Sequence, residues 1–224
     1  MTRIAPLVFA CCLASVTATA GPSGDGSMEG PEDPNPTRLL VGPTARSLGR
    51  GQVYIDSFGI SLPFVQVGIT DRISMGAGAP VLFPGITPGQ IYWLTPKVQI
   101  VSGPRTQASV GVLHLKGDGE ASGIAYGVMT RGSTDSALTL GLGYTYRAGD
   151  DAKAGAPLVL IGGEKRLSPR VKVITENYLA ASGGLVNGGL RVIRRHASID
   201  LGLGAAFADS GTFLVPIIRI AYTF

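Results

Sequence analysis

From about residue 51 onward, bulky apolar residues alternate with small or polar ones in short runs. In Leu138-Thr139-Leu140-Gly141-Leu142-Gly143-Tyr144-Thr145-Tyr146 every even position is large and apolar, and every odd one is Thr or Gly. Ile199, Leu201 and Leu203 alternate with Asp200, Gly202 and Gly204, and Ile218, Ile220, Tyr222 and Phe224 with Arg219, Ala221 and Thr223. A period of two puts one set on each face of a strand. The pattern predicts strands over 51–59, 62–70, 72–80, 91–101, 105–116, 121–131, 135–147, 156–166, 170–181, 185–194, 197–207 and 212–224. Their length, about ten residues, is what a tilted strand needs to cross a bilayer. Alternation also suits a soluble sandwich, so it does not decide alone.

Two further patterns separate those possibilities. Tight turns fall at Thr70-Asp71, Ser102-Gly103-Pro104, Gly132-Ser133-Thr134, Leu167-Ser168-Pro169 and Arg195-His196, whereas longer connections at 81–90, 117–120, 148–155 and 208–211 lie at the other end. Short periplasmic turns opposite longer outer loops are the asymmetry of bacterial barrels. Aromatics gather near strand ends, with Phe58, Phe64, Phe83, Tyr92, Trp93, Tyr144, Tyr146, Tyr178, Phe207 and Phe213 towards the long loops. Tyr222 and Phe224 lie at the other end, as a pair of interfacial girdles requires. The predicted fold is all-β, an antiparallel up-and-down transmembrane β-barrel of about 12 strands (10–12).

Composition agrees. Charged residues make up 15% and hydrophobic ones 45%, against about 25% charged in soluble domains. With 33 glycines, long helices are disfavoured. Mean hydropathy is +0.29. Arg3, the apolar stretch Ile4 to Leu13 and Ala18-Thr19-Ala20 read as an export signal, residues 1–20, cleaved near Ala20. Cys11 and Cys12 both lie inside it, so the mature chain has neither a disulfide framework nor a Cys-based metal site. Residues 21–37, rich in Gly, Pro, Ser and acids, read as a disordered linker, followed by a barrel domain over 38–224. Arg38 to Val41 reads either as a short extra strand or as a segment against the barrel end. One base and four acids precede Arg38, leaving 18 bases and 11 acids from Arg38 onward, a net +7. Those bases form no run and no aromatic-basic motif, so nucleic acid is not an expected partner.

The last strand closes on Phe224, which resembles the C-terminal signal by which outer-membrane barrels engage their assembly machinery. Gly42-Pro43-Thr44-Ala45-Arg46-Ser47-Leu48, Val67-Gly68-Ile69-Thr70-Asp71-Arg72-Ile73-Ser74-Met75-Gly76, Leu94-Thr95-Pro96-Lys97-Val98 and Thr175-Glu176-Asn177 are similar to a family of uncharacterised bacterial outer-membrane-type barrels. The resemblance implies outer-membrane localisation, with outer-membrane lipid and the assembly machinery as partners; the chain is read as a monomer. It brings no catalytic residues.

Of catalytic chemistry the chain offers little. His114 and His196 stand at no metal-ligand spacing, and no nucleophile, phosphate-binding or dinucleotide motif occurs in a suitable context. No catalytic residue, metal or cofactor is assigned, and the chain is not read as an enzyme. With apolar positions facing outward, the opposite set turns Lys97, Gln99, Glu164, Lys172, Glu176, Arg191, Asp200 and Arg219 into the lumen. Loop lengths set Arg191, Asp200 and Arg219 in one row across three strands, and Glu164 near Lys172. These charges either fill a closed lumen, as in a structural barrel, or line a narrow passive pore for small polar solutes. The alternative is a soluble periplasmic β-barrel binding an apolar ligand.

Overall fold

A computed structural model describes residues 30–81, 90–117, 119–148, 155–208 and 211–224. The signal segment, residues 21–29 and Phe83 lie outside them. Thirteen strand segments follow in chain order. They are β1 (Val53–Phe58), β2 (Leu62–Gly68), β3 (Ile73–Gly78), β4 (Ile91–Leu94), β5 (Lys97–Ser102), β6 (Thr106–Gly117) and β7 (Glu120–Gly132). Then come β8 (Ser136–Ala148), β9 (Pro157–Ser168), β10 (Val171–Ala180), β11 (Gly183–Ile193), β12 (Ala197–Ala208) and β13 (Gly211–Thr223).

Each strand pairs antiparallel with its chain neighbour, and β13 returns to β1 through Tyr54↔Thr223 to Phe58↔Arg219, which closes the ring. β4 and β5 both lie between β3 and β6, so they are two halves of one strand and the barrel has twelve. The break falls at Thr95-Pro96, where proline lacks the N–H the ladder needs. The sequence pattern carries one continuous strand through this point because alternation persists across it. Closure leaves no free edge, so nearly every strand N–H and C=O finds a partner within the sheet.

Burial follows the pleat. Along β9, Leu160, Glu164 and Arg166 are buried while Val159, Ile161 and Leu167 are exposed. The exposed set over the whole barrel is large and apolar, including Leu138, Leu140, Leu142, Ile199, Leu201, Leu203, Ile218 and Ile220.

The lumen is filled by the chain itself. Residues 30–49 enter beside the β9–β10 turn, where Gly30 packs on Pro169, and leave beside the β2–β3 turn, where the Arg50 N–H donates to Asp71 at 2.9 Å. Both contacts are at the short-turn end. Between them the segment forms a narrow hairpin, with Thr44 N–H donating to Thr37 O and Leu39 N–H to Gly42 O, each at 2.9 Å. Arg38 pairs with Pro43 in a single bridge, so Arg38 to Val41 is neither a barrel strand nor a cap on the barrel end. Over residues 30–37 the structure likewise differs from the flexible linker that composition suggests: Asp33, Asn35 and Thr37 are buried inside the barrel. Polar groups there are ordered by charges on the wall, which composition does not register.

Leu39, Leu40 and Ala45 of the hairpin pack with Val128, Leu160, Ile174 and Ile217, and Leu48 packs with Tyr54 and Phe64. The hydrophobic core of the molecule therefore lies between the hairpin and the inner wall. The lumen is not uniformly polar, as alternation alone would have it. Its wall is charged beside the arms and mixed around the tip, where Leu160, Ile174 and Ile217 stand with Glu176 and Arg219.

Candidate functional site

Eight charged residues alternate in sign around the hairpin. Arg46 pairs with Glu164, whose other oxygen lies 3.2 Å from Lys172; Lys172 reaches Asp33 at 2.8 Å; Asp33 lies 3.1 Å from Arg191. Arg191 holds Asp200 at 2.7 Å, Asp200 lies 3.8 Å from Arg219, and Arg219 clasps Asp56. The four cations and four anions cancel. Glu164, Lys172, Arg191, Asp200, Arg219 and Asp56 stand on strands, and Asp33 and Arg46 on the two hairpin arms, so the ladder stitches hairpin to wall. Register supports it, since Arg191 stands opposite Asp200 and Asp200 opposite Arg219. Charges removed from water need partners and hydrogen bonds on every side, and here they have both.

The cations also hold the hairpin backbone. Arg191 donates to the carbonyls of Asn35 and Leu39 at 2.8 Å, and Arg219 to those of Leu39 and Leu40 at 3.0 Å. Glu176 stands outside the ladder and accepts from the N–H groups of Val41 and Gly42 at 2.9 and 2.8 Å, with the Tyr178 hydroxyl as a third donor. It therefore caps the tip. Lys97 donates to the carbonyls of Thr44 and Arg46 at 3.2 and 2.6 Å and has no carboxylate within ion-pair distance among the described residues. Gln99 and Ser109 both donate to Ala45 O, and Thr130 accepts the Ala45 N–H. All seven charged wall residues read from the sequence, Lys97, Glu164, Lys172, Glu176, Arg191, Asp200 and Arg219, are buried, and each touches the hairpin or a residue that does.

Sequence reasoning passed over Asp33, Arg38, Arg46 and Asp56. Asp33 lies in the stretch that composition reads as a linker, Arg38 in the segment read as a short extra strand or as lying against the barrel end, and Arg46 ahead of the first predicted strand. Asp56, on β1, belongs by parity to the same face as Tyr54, a signal that was available. For Asp33, burial alone would raise the carboxyl, but Arg191 and Lys172 beside it hold it well below the usual carboxylate range.

Arg38 sits at the base of the tip. Its Nε donates to the Tyr54 hydroxyl at 3.3 Å, Nη1 to Val41 O at 3.2 Å and Nη2 to Thr95 at 3.5 Å, and its guanidinium lies 4.5 Å from the Phe64 ring centre. Beyond it, towards the long loops, opens a cavity of about 110 Å³ lined by Arg38, Val41, Thr95, Leu113, Ile124, Tyr126, Val128, Leu158, Leu160 and Tyr178 among others. His114 lies elsewhere, on the outer face of β6, with Nδ1 2.8 Å from the Tyr146 hydroxyl. Among the described residues no cluster of His, Cys, Asp or Glu is placed to hold a metal.

No protein-family model and no curated protein matches the chain. Solved structures do. The KdgM porin in complex with disordered oligogalacturonate superposes with a TM-score of 0.57 at 6% identity, covering 77% of this chain and 98% of that one. A second structure, of the KdgM porin, gives 0.56 at 8% identity, with the same coverage. An outer membrane channel from Pseudomonas putida F1 gives 0.57 at 10% identity, covering 80% of this chain and 98% of that one. Matching so much of both chains at so little identity, these structures share a fold with this chain: the closed antiparallel barrel of outer-membrane porins and channels.

Proposed function

We propose that this chain is a monomeric outer-membrane barrel whose lumen is a narrow route for small solutes, held shut by its own N-terminal hairpin. One observation carries the reading: residues 30–49 occupy the lumen as an inserted hairpin with both ends at one rim. Such a segment can withdraw through that rim without unthreading the barrel, whereas a strand of the wall cannot. The porin fold and the exposed apolar belt support placement in a bilayer and oppose a soluble barrel that keeps its apolar face inward. In this reading residues 1–20 direct export and are cleaved near Ala20. The short turns and the hairpin entrance face the periplasm, lipid covers the belt, and the strand ending at Phe224 engages the assembly machinery.

A barrel without transport is the second reading, favoured by the completeness of the ion ladder, which fills the lumen beside the hairpin arms with buried, mutually paired charges. Single-channel recording on Leu39→Cys/Gly162→Cys separates the two, because a Cβ at Gly162 would lie 3.6 Å from the Cγ of Leu39, so that shortening Leu39 to cysteine leaves room for a disulfide that ties the hairpin to the wall. The gated pore predicts openings under reducing conditions that vanish on oxidation and return with reductant. Openings indifferent to oxidation would remove the hairpin as gate, and silence in the reduced and wild-type proteins alike would favour the structural barrel.

A further inference from the structure

The cavity beyond the hairpin tip has a composition unlike the rest of the lumen. Its walls are Leu113, Ile124, Tyr126, Val128, Leu158 and Leu160, and its floor holds Arg38. An apolar chamber of about 110 Å³ is of the size that holds a small ring or a short alkyl chain, given that a dry apolar cavity of about 150 Å³ takes up benzene. A guanidinium at the base of such a chamber is expensive unless its donors are matched.

They are matched only in part. Arg38 has five N–H donors, and three are engaged, all with neutral oxygens at 3.2–3.5 Å. The donors left are one N–H on each terminal nitrogen, enough for two hydrogen bonds to a carboxylate. Among the described residues no carboxylate lies within ion-pair distance of it. Asp56 is clasped by Arg219, and the carboxylate of Glu176 is spent on Val41, Gly42 and Tyr178. Lys97, the other luminal cation outside the ladder, is turned onto the carbonyls of Thr44 and Arg46. The ladder is neutral by itself, and of the luminal charges outside it Arg38 and Lys97 outnumber Glu176, which leaves the lumen around the tip with one positive charge in excess. The Tyr126 hydroxyl, also on the lining, makes no hydrogen bond among the described residues.

From this we infer that the chamber is a binding site for a small amphiphilic acid, an aromatic or short-chain alkyl carboxylate, with its apolar part among Leu113, Ile124, Val128 and Leu160 and its carboxylate on Arg38. The inference rests on the proposed membrane placement only for the side from which the ligand arrives. Binding itself requires neither passage nor movement of the hairpin, so it stands or falls independently of the conductance experiment.

Calorimetric titration of the full mature chain in phospholipid nanodiscs, with empty discs as the reference, tests it using benzoate, benzyl alcohol and acetate. Benzoate is expected to bind saturably, with benzyl alcohol and acetate each weaker by about tenfold or more, since one lacks the charge and the other the apolar body. Arg38→Gln should lower benzoate affinity by about tenfold or more and leave benzyl alcohol unchanged, and Arg38→Lys should recover part of the loss. Leu113→Trp, which fills the chamber from a wall position outside the core that packs on the hairpin, should abolish both. Folding of every variant is checked by the mobility shift between unboiled and boiled samples. Equal affinity for benzoate and benzyl alcohol in the wild-type chain, or no saturable benzoate signal, would overturn the inference without recourse to any variant.

Discussion

Arg191 shows how a single side chain can be both wall and clamp. It donates to both oxygens of Asp200, to Asp33 on the hairpin, and to the carbonyls of Asn35, Arg38 and Leu39. Its burial is tolerable because its N–H groups find oxygens, and three of those oxygens belong to two carboxylates. Part of this is readable from sequence, since the short Arg195-His196 turn fixes Arg191 opposite Asp200. Asp33 is not readable in that way. It reaches Lys172 and Arg191 across more than 130 positions of chain, and no local period announces such a contact. The surplus of base behind Arg38 was the one hint that acids would be drawn from in front of it. Asp33 also gives the site a pH dependence whose sign follows from its shift. Its folded value is depressed, so its stabilisation is complete above its unfolded value of about 4 and fades as pH falls below that towards the folded value. Asp33→Asn should therefore lower the temperature at which the unboiled gel mobility is lost at neutral pH, and the two proteins should converge as pH drops below about 4. A gap between them that stays constant from pH 7 to the acid limit would remove Asp33 from the ladder's account.

At the level of elements, alternation and turn residues locate the twelve barrel strands because a lipid-facing strand must keep one face apolar along its whole length. The interruption at Thr95-Pro96 escapes that rule: the side chains keep their faces while the backbone loses a donor, and only Pro96 itself signals it. The hairpin escapes for a different reason. Its arms are held by backbone carbonyls, buried ions and glycine-sized gaps in the wall, none of which gives a segment a hydrophobic period. Gly162 is one such gap. It lies on the inner face of β9, and a Cβ placed there would run into the Cδ1 of Leu39. Gly162→Val should thus unseat the hairpin while sparing the strand, since Val is at ease in a sheet and the outer face is unchanged. The expected result is a barrel that still shifts on boiling but is cut within residues 30–49 by a soluble protease under conditions that leave the wild-type hairpin intact. Equal resistance in the two proteins would mean that Leu39 can repack and that the fit at Gly162 does not hold the hairpin in place.

Across the whole molecule, the charged lumen and the apolar exterior are separated by one residue of register. The inner row Arg191–Asp200–Arg219 has, one position along each strand, the outer row Leu190–Leu201–Ile218, paired across the same strands and 46%, 51% and 53% exposed. A slip of one residue in β12 would therefore bury Leu201 among arginines and carry Asp200 out to the belt, so both environments specify the same register. The outer row also distinguishes bilayer from water as the solvent of this face. In a bilayer, Leu201→Arg near the middle of β12 should cost about 2–4 kcal/mol of folding free energy, and Leu167→Arg, next to the β9–β10 turn, about 0–1 kcal/mol. In a soluble barrel both positions are simply wet, and both substitutions should lie within about 0.5 kcal/mol of wild type. Reversible denaturant titration of folding into phospholipid vesicles measures the difference directly. A steep dependence on height along the barrel would establish that the belt lies in lipid. Two small and equal effects would return the apolar exterior to solvent, and the hairpin-filled lumen would then have to be understood as the core of a soluble protein.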